Sequence, residues 1–225
     1  MKQTNLPGAF KAIFPLLFLF MLNSCLGINA DIVFNRNGSG TIALEYHISK
    51  SLDSLGKTDG NERWNTIPAG RADFERTLDR LPEIKLLSFS SKEDEKNLII
   101  AVKMEFANLQ GLLSFLDASG RRSSLSGDAS SGNLVLTLNE GSKNKNTGQG
   151  SPPDKLIADI FESYSVRMSM TFPDEGSLNI TDNQGNPLNT GAGSEFNTRG
   201  KRVSFSFPLY EVLSSSEGIN VVFSW

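Results

Sequence analysis

Two residue types that often carry chemistry occur once each in this sequence. The chain has 225 residues, its one histidine is His47, and its one cysteine is Cys25. A structural zinc site needs about four ligands, mostly Cys and His, and a nucleophilic Ser or Cys commonly needs a histidine base. The sequence therefore predicts no metal site and no nucleophile–histidine pair. Since His47 lies between Tyr46 and Ile48 in an alternating segment, we expect it on the exposed polar face of a strand.

The remaining motifs do not form a catalytic set. Gly191-Ala192-Gly193 begins like a dinucleotide-binding fingerprint, but the third position is Phe196 rather than glycine and no helix pattern follows. Glu45 has no evident partner, while Asp73 and Glu75 are spaced for opposite sides of a helix. We predict that the protein is not an enzyme and uses no cofactor. A hydrolase with two acids in one cleft is the catalytic alternative.

Cys25 follows a segment typical of a secretory signal peptide. Lys2 and Lys11 accompany an apolar run over residues 12–22, which is too short for a membrane-spanning helix. Leu22-Asn23-Ser24-Cys25 resembles the lipobox of bacterial lipoproteins, in which a large aliphatic and a small residue precede an acylated cysteine. We predict a signal peptide over residues 1–24 and lipidation of Cys25, by diacylglycerol and a further chain such as palmitate. An ordinary signal with an incidental cysteine is the alternative.

Charge and hydropathy narrow the choice of partners. Removal of residues 1–24 takes away two lysines and no acid, which leaves 20 basic and 25 acidic residues and a net charge of −5. Nucleic acids and anionic membrane surfaces attract clustered Lys and Arg, so this acidity argues against both as general partners. No second apolar stretch approaches spanning length. We expect membrane contact through the lipid.

Alternating apolar residues predict strands, and the first four strands form two hairpins. One hairpin spans residues 32–48 around Asn37-Gly38, a strong hairpin turn signal, and the other spans Ile84 to Phe106 around the charged run 92–96. Further strands are predicted at 134–138, 166–172, 178–180, 203–207 and 219–225. About nine strands therefore dominate the chain.

Helical spacing predicts three helices between these strands. They cover Gly70 to Leu81, a segment over 109–116 capped by Asn108, and a segment that opens at Ser151-Pro152-Pro153-Asp154. We expect residues 121–132 to be a mobile serine-rich loop and residues 141–150 to be a disordered polar loop. The predicted class is α+β, with a mainly antiparallel sheet of hairpins and about three helices packed on one face. The domain would cover residues 31–225 behind a lipidated tether at 25–30.

Both ends of the mature sequence resemble the LppM-type lipoprotein domain, a bacterial cell-envelope family. The segment from Asp31 to Thr41 is similar to the family's opening hairpin after the lipobox. Met170-Thr171-Phe172-Pro173, a Gly/Asn-rich loop and residues 200–209 resemble its closing hairpin. The resemblance implies a domain that binds a lipid, a glycolipid or an envelope partner, and it carries over no catalytic residue.

The sequence thus predicts a lipid-anchored, non-enzymatic envelope lipoprotein. We expect the outer membrane or the periplasmic face, since Leu26 and Gly27 follow Cys25 without an Asp that retains some lipoproteins at the inner membrane. One alternative is an assembly lipoprotein that docks on other envelope proteins. An outer-membrane barrel is another, because the chain ends in Phe223-Ser224-Trp225, although helices and a lipobox argue against it. An apolar cavity beneath the 109–116 helix would favour lipid binding over docking.

Overall fold

A computed structural model describes residues 26–50, 70–95, 97–117, 119–141, 164–189, 191 and 193–225. The predicted signal peptide, Cys25, the 142–150 part of the polar loop and the predicted third helix lie outside the described residues. Within them the chain forms eleven strands and three helices. The strands are β1 (Leu26–Phe34), β2 (Gly40–Ser49), β3 (Ile84–Glu93), β4 (Asn97–Phe106), β5 (Ser123–Gly127), β6 (Gly132–Asn139), β7 (Tyr164–Thr171), β8 (Ser177–Thr181), β9 (Glu195–Arg199), β10 (Arg202–Pro208) and β11 (Ile219–Ser224). The helices are α1 (Arg71–Leu78), α2 (Leu109–Leu116) and α3 (Leu209–Ser214).

Seven strands form the larger sheet, in the order β3-β4-β2-β1-β7-β10-β9. Every neighbouring pair is antiparallel except β1 and β7, which run parallel at the centre. Both predicted hairpins are present. In the first, Gly38 has φ +81°, a conformation that glycine adopts without steric cost, and the turn sets Phe34 opposite Gly40.

The other four strands form a second sheet, in the order β5-β6-β11-β8. The prediction of a mobile loop over residues 121–132 is wrong, because β5 pairs with β6 there. Leu125 is flanked by serines on both sides, so this edge strand lacks the repeated apolar positions that mark a strand. A single sheet is likewise too simple, since the helices share the covering of the larger sheet with this second sheet.

Two of the predicted helices are present and one helix was not predicted. Phe74 and Leu78 of α1 are buried, and the helix ends at Leu78, earlier than expected. Asn108 caps α2 as predicted, its side chain accepting a hydrogen bond from the backbone N–H of Gly111. The six-residue α3 follows β10 directly. It is too short to give a periodic signal.

The two sheets and the helices enclose one core. Phe205 of β10 and Phe223 of β11 have ring centroids 6.1 Å apart, and Trp225 stacks on Phe34 and Phe172 at 5.7 and 5.2 Å. Neither sheet closes on itself. The class is therefore α+β with predominantly antiparallel sheets.

A buried carboxylate organises the turn after α2. Asp117 accepts hydrogen bonds from the hydroxyls of Ser119 and Ser123 and from the backbone N–H groups of Ser119, Arg122 and Ser123. The Ser119 hydroxyl makes the largest contribution, and together these donors hold the pKa of Asp117 well below its usual 3.8 despite its burial. The ionised form is thus the one that the folded turn needs.

Acid is expected to destabilise the fold from about pH 4 downwards. Asp128 and Asp182 have lowered pKa values for the same reason, with hydrogen bonds from Ser130 and Asn186 as the largest causes. A carboxyl with a lowered folded-state pKa stabilises the protein above its unfolded pKa and loses that contribution as the pH falls through the folded value. Urea midpoints measured at decreasing pH test this expectation. Asp117→Asn should lower the midpoint at neutral pH and flatten its acid dependence, whereas an unchanged wild-type midpoint in acid would contradict the assignment.

Candidate functional site

The outward face of the seven-stranded sheet is polar, because apolar and polar residues alternate along its strands. One cross-strand row of the register faces the core and is buried; it consists of Val203, Met170, Ile32, Ile42 and Met104. The neighbouring row faces the other way and consists of Asn197, Ser204, Ser169, Asp31, Ala43 and Lys103. Short polar side chains therefore cover the middle of this face.

Two depressions lie side by side on this outward face. The larger has a volume of about 630 Å³, and its polar side chains are Asn29, Arg167, Ser169, Glu195, Asn197, Arg202, Ser204 and Ser206. The smaller has a volume of about 340 Å³, shares Asn29 and extends over β2, β3 and β4. Both are lined by side chains with hydrogen-bond donors and acceptors.

A cluster of three side chains connects the two depressions. Ser169 donates from its hydroxyl to Asp31 Oδ1 at 2.8 Å, while Arg202 Nη2 donates to Asp31 Oδ2 at 3.3 Å and to Ser169 Oγ at 2.8 Å. The arginine and aspartate side chains are 54% and 40% exposed, so solvent screens the pair and its contribution to stability is about 0–1 kcal/mol. The cluster orients Arg202 more than it stabilises the fold.

The larger depression has a balanced charge. Arg167 donates from Nε to the hydroxyl of Ser206 at 3.2 Å, and both side chains face the same space as Arg202. Glu195 lies on its rim, and Asp31 pairs with Arg202 beside it. Two guanidinium groups and two carboxylates suit a partner that offers both hydrogen-bond donors and acceptors.

The smaller depression brings two acids to one surface. Asp31 and Glu45 both line it, together with Lys103. Asp31 lies opposite Ala43, which makes Glu45 its diagonal neighbour at a Cα separation of about 7–8 Å. Glu45 is thus not isolated, and its Oε1 also lies 3.3 Å from His47 Nε2.

His47 is less exposed than the sequence indicated. Its side chain is only 16% exposed, and among the described residues its Nδ1 atom has no hydrogen-bond partner. It occupies the predicted outward face, but its cross-strand neighbour there is Ile99 rather than a polar residue. The alternation gave the face correctly, whereas the neighbour across the strands depends on register.

Other candidate residues have structural roles. Asp73 Oδ2 accepts from the backbone N–H of Gly70, and Glu75 pairs with Arg71 at 2.8 Å on the surface of α1. Gly191 donates its N–H to Glu211 of α3, so this segment is a connection held against a helix. Within the described part of the chain, no group of three His, Cys, Asp or Glu side chains is placed to hold a metal ion. The lipobox residues Leu22, Asn23, Ser24 and Cys25 lie outside it.

Buried apolar side chains lie beneath α2. Leu112 is buried on the inward face of this helix, and Phe106 and Met104 of β4 are fully buried nearby. These buried side chains lie where a cavity for an acyl chain was expected. The two depressions described above lie on the opposite, polar face of the sheet.

Sequence reasoning missed the cluster of Asp31, Ser169 and Arg202. Alternation indicates that each residue faces away from the core, but 138 and 171 positions separate Asp31 from its two partners. The parallel pairing of β1 with β7 brings them together. No local pattern encodes that pairing.

The comparisons with known proteins identify no relative. No family model, no curated protein and no solved structure matches the chain. In the described ranges, no helix combines the length and apolar character needed to cross a bilayer.

Proposed function

We propose that the protein is a lipid-anchored lipoprotein of the bacterial cell envelope, with Cys25 as the acylated residue. The observation that carries this proposal is the position of the chain's one cysteine, directly after an apolar leader and the Leu22-Asn23-Ser24 sequence. A lone thiol in an exported protein has no internal disulfide partner, and acylation gives it a role. Two or more acyl chains anchor a protein far more stably than one.

The domain is a binding module that works without catalysis, and its outward sheet face is the binding surface. The concave polar lining around Asn29 and Arg202 supports this part of the proposal. The buried side chains beneath α2 and the position of both depressions on the outward face favour contact at the surface over enclosure of an acyl chain. The partner is then a lipid headgroup, a glycolipid or an envelope protein, and the LppM-like ends of the sequence favour the same classes. An assembly lipoprotein that docks through this face is the nearest alternative.

Metabolic labelling with a fatty-acid analogue tests the anchor. Wild-type protein is expected to take up label and sediment with membranes, whereas Cys25→Ser should lose both properties because the acyl acceptor is gone. Ser24→Ala is the matched control, since a small residue still precedes the cysteine and labelling should persist. A Cys25→Ser variant that retains label or stays in the membrane would contradict the proposal.

A paired-acid hydrolase is the second candidate. The observation that favours it is the placement of Asp31 and Glu45 on one depression, since glycosidases act with two carboxyl groups in one cleft. Against it, Asp31 already accepts hydrogen bonds from Arg202 and Ser169. We expect no turnover of nitrophenyl glycosides by the wild type. Turnover that disappears in both Asp31→Asn and Glu45→Gln would establish the hydrolase instead.

A further inference from the structure

The sheet begins directly after the proposed lipid attachment site. Residues 26–30, expected to form a tether, belong to β1, in which Leu26 already pairs with Tyr164. Consecutive Cα atoms are about 3.8 Å apart, so the first strand residue lies one residue beyond Cys25. A lipid on Cys25 would therefore hold this end of the domain at the membrane, with no flexible spacer between them.

The register shows which other elements share that end. Gly27 pairs with Ser165, and Ser165 pairs with Pro208, so the start of β1 is level with the end of β10. Two strand spacings, about 10 Å, separate them. Helix α3 starts at Leu209, the next residue, and therefore lies at the same end.

Half of the exposed large apolar side chains in the described residues lie at this end of the domain. They are Ile28 (45% exposed), Tyr210 (38%) and Leu213 (56%), three of six. Ile28 is two positions after Leu26 on β1. Tyr210 and Leu213 are three apart on α3, so they share one side of that helix. We call these three residues the anchor end.

We propose that the anchor end rests on the surface of the bilayer that holds the Cys25 lipid. This inference depends on the proposed acylation of Cys25. The bilayer is the surface that covers these side chains, because the residue proposed to be acylated, Cys25, directly precedes Leu26, the first residue of β1. The transfer of apolar side chains out of water is favourable, and tyrosine is common at the membrane interface. The strands of the larger sheet would then point away from the membrane.

The charged β3–β4 turn restricts the tilt of the domain on the bilayer surface. Asn97 at the start of β4 pairs with Ser49, so this turn also lies near the membrane end of the sheet. It carries Glu93, which pairs with Lys50 at 3.0 Å. Strand β4 lies on the opposite side of β1 from β10. The domain therefore leans toward α3 and keeps the charged turn in water.

Probe quenching on the full-length, acylated protein tests this orientation. Acylation consumes the thiol of Cys25, so Leu213→Cys introduces one reactive thiol for a nitrobenzoxadiazole probe. Val33→Cys is the matched control, since Val33 is an exposed apolar residue of β1 that lies five positions beyond Ile28, or about 17 Å along the strand. Tyr210→Cys provides a second anchor-end probe. Each protein is reconstituted into phosphatidylethanolamine–phosphatidylglycerol vesicles that contain nitroxide-labelled phosphatidylcholine. Flotation of the same samples in a density gradient measures attachment to the vesicles.

The result expected is a floating protein whose probes at positions 213 and 210 are quenched roughly twofold or more relative to the probe at position 33. Equal quenching at all three positions in floating protein would overturn the orientation and leave the lipid anchor intact. Protein that stays at the bottom of the gradient would overturn the acylation of Cys25, and the orientation with it.

Discussion

Replacement of Phe106 by alanine is expected to lower the free energy of unfolding by about 3–5 kcal/mol. Phe106 is fully buried at the end of β4, between Gly40 of β2 and Ile84 of β3. Its ring meets that of Phe34 edge-to-face at a centroid distance of 5.7 Å. Truncation removes this contact and leaves a cavity where strands, helix α2 and the aromatic stack converge. Urea or guanidinium denaturation followed by circular dichroism measures the change.

Phe196→Ala is the matched control for this prediction. Phe196 is 41% exposed, and its ring contacts Phe207 alone among the described aromatic pairs, at 5.3 Å. We expect the control to cost about 1 kcal/mol, since it gives up less buried area and one aromatic contact. Equal losses in the two variants would mean that the end of β4 is not a tightly packed centre.

Gly40→Ala is expected to be nearly as damaging as Phe106→Ala, although it adds a methyl group. A Cβ at Gly40 would overlap the carbonyl oxygen of Val33 and the ring of Phe106. Overpacking of this kind costs typically 1–3 kcal/mol, and the backbone oxygen cannot move without disturbing the β1–β2 pairing. We therefore expect the upper part of that range or more, read from the same denaturation curves.

The double variant separates the two obstacles at Gly40. Removing the Phe106 ring relieves one overlap and leaves the Val33 oxygen in place. The cost of Gly40→Ala should therefore fall in the Phe106→Ala background without vanishing, which is a measurable coupling between neighbours. Gly120→Ala is a poor control, because Gly120 has φ +64°. Gly70 is the matched site, since it has no positive φ and an added Cβ would meet only Asp73 Oδ2, at an ordinary contact distance of 3.4 Å. A Gly40→Ala protein as stable as Gly70→Ala would contradict the close packing.

The sequence predicted those elements whose signals are local. Asn37-Gly38 marked the first hairpin, and Asn108 marked the start of α2 through the same side-chain oxygen that accepts from Gly111. Signals failed where they were weak or short. Strand β5 consists mainly of serines and lacks alternating apolar residues, α3 is only six residues long, and every residue of β9 is exposed.

The sequence predicts which way the residues of the candidate site face, but not that they meet. Strand alternation places Asp31, Ser169 and Arg202 on outward faces, because apolar residues flank Asp31 and Ser169 on both sides and Arg202 directly precedes the apolar alternation that starts at Val203. Their meeting depends on strand order, which is set by long-range packing of the central parallel pair. The partial burial of His47 depends likewise on Ile99 across the ladder.

The binding surface lies close to the membrane end of β1. Asn29, shared by both depressions, lies three residues beyond Leu26, or about 10 Å along the strand. If the anchor end rests on the bilayer, this surface opens sideways just above the headgroups. Its partner would then be a headgroup or the membrane-proximal part of an envelope protein.

Mass spectrometry of the mature N-terminus tests the central claim, the acylated Cys25, most directly. Tryptic digestion of protein extracted from membranes is expected to yield a first peptide from Cys25 to Arg36 that carries a diacylglycerol group. A further acyl chain on its amino group would fit the same account. A stoichiometric peptide with an unmodified Cys25, or one that retains residues before it, would contradict the lipoprotein assignment.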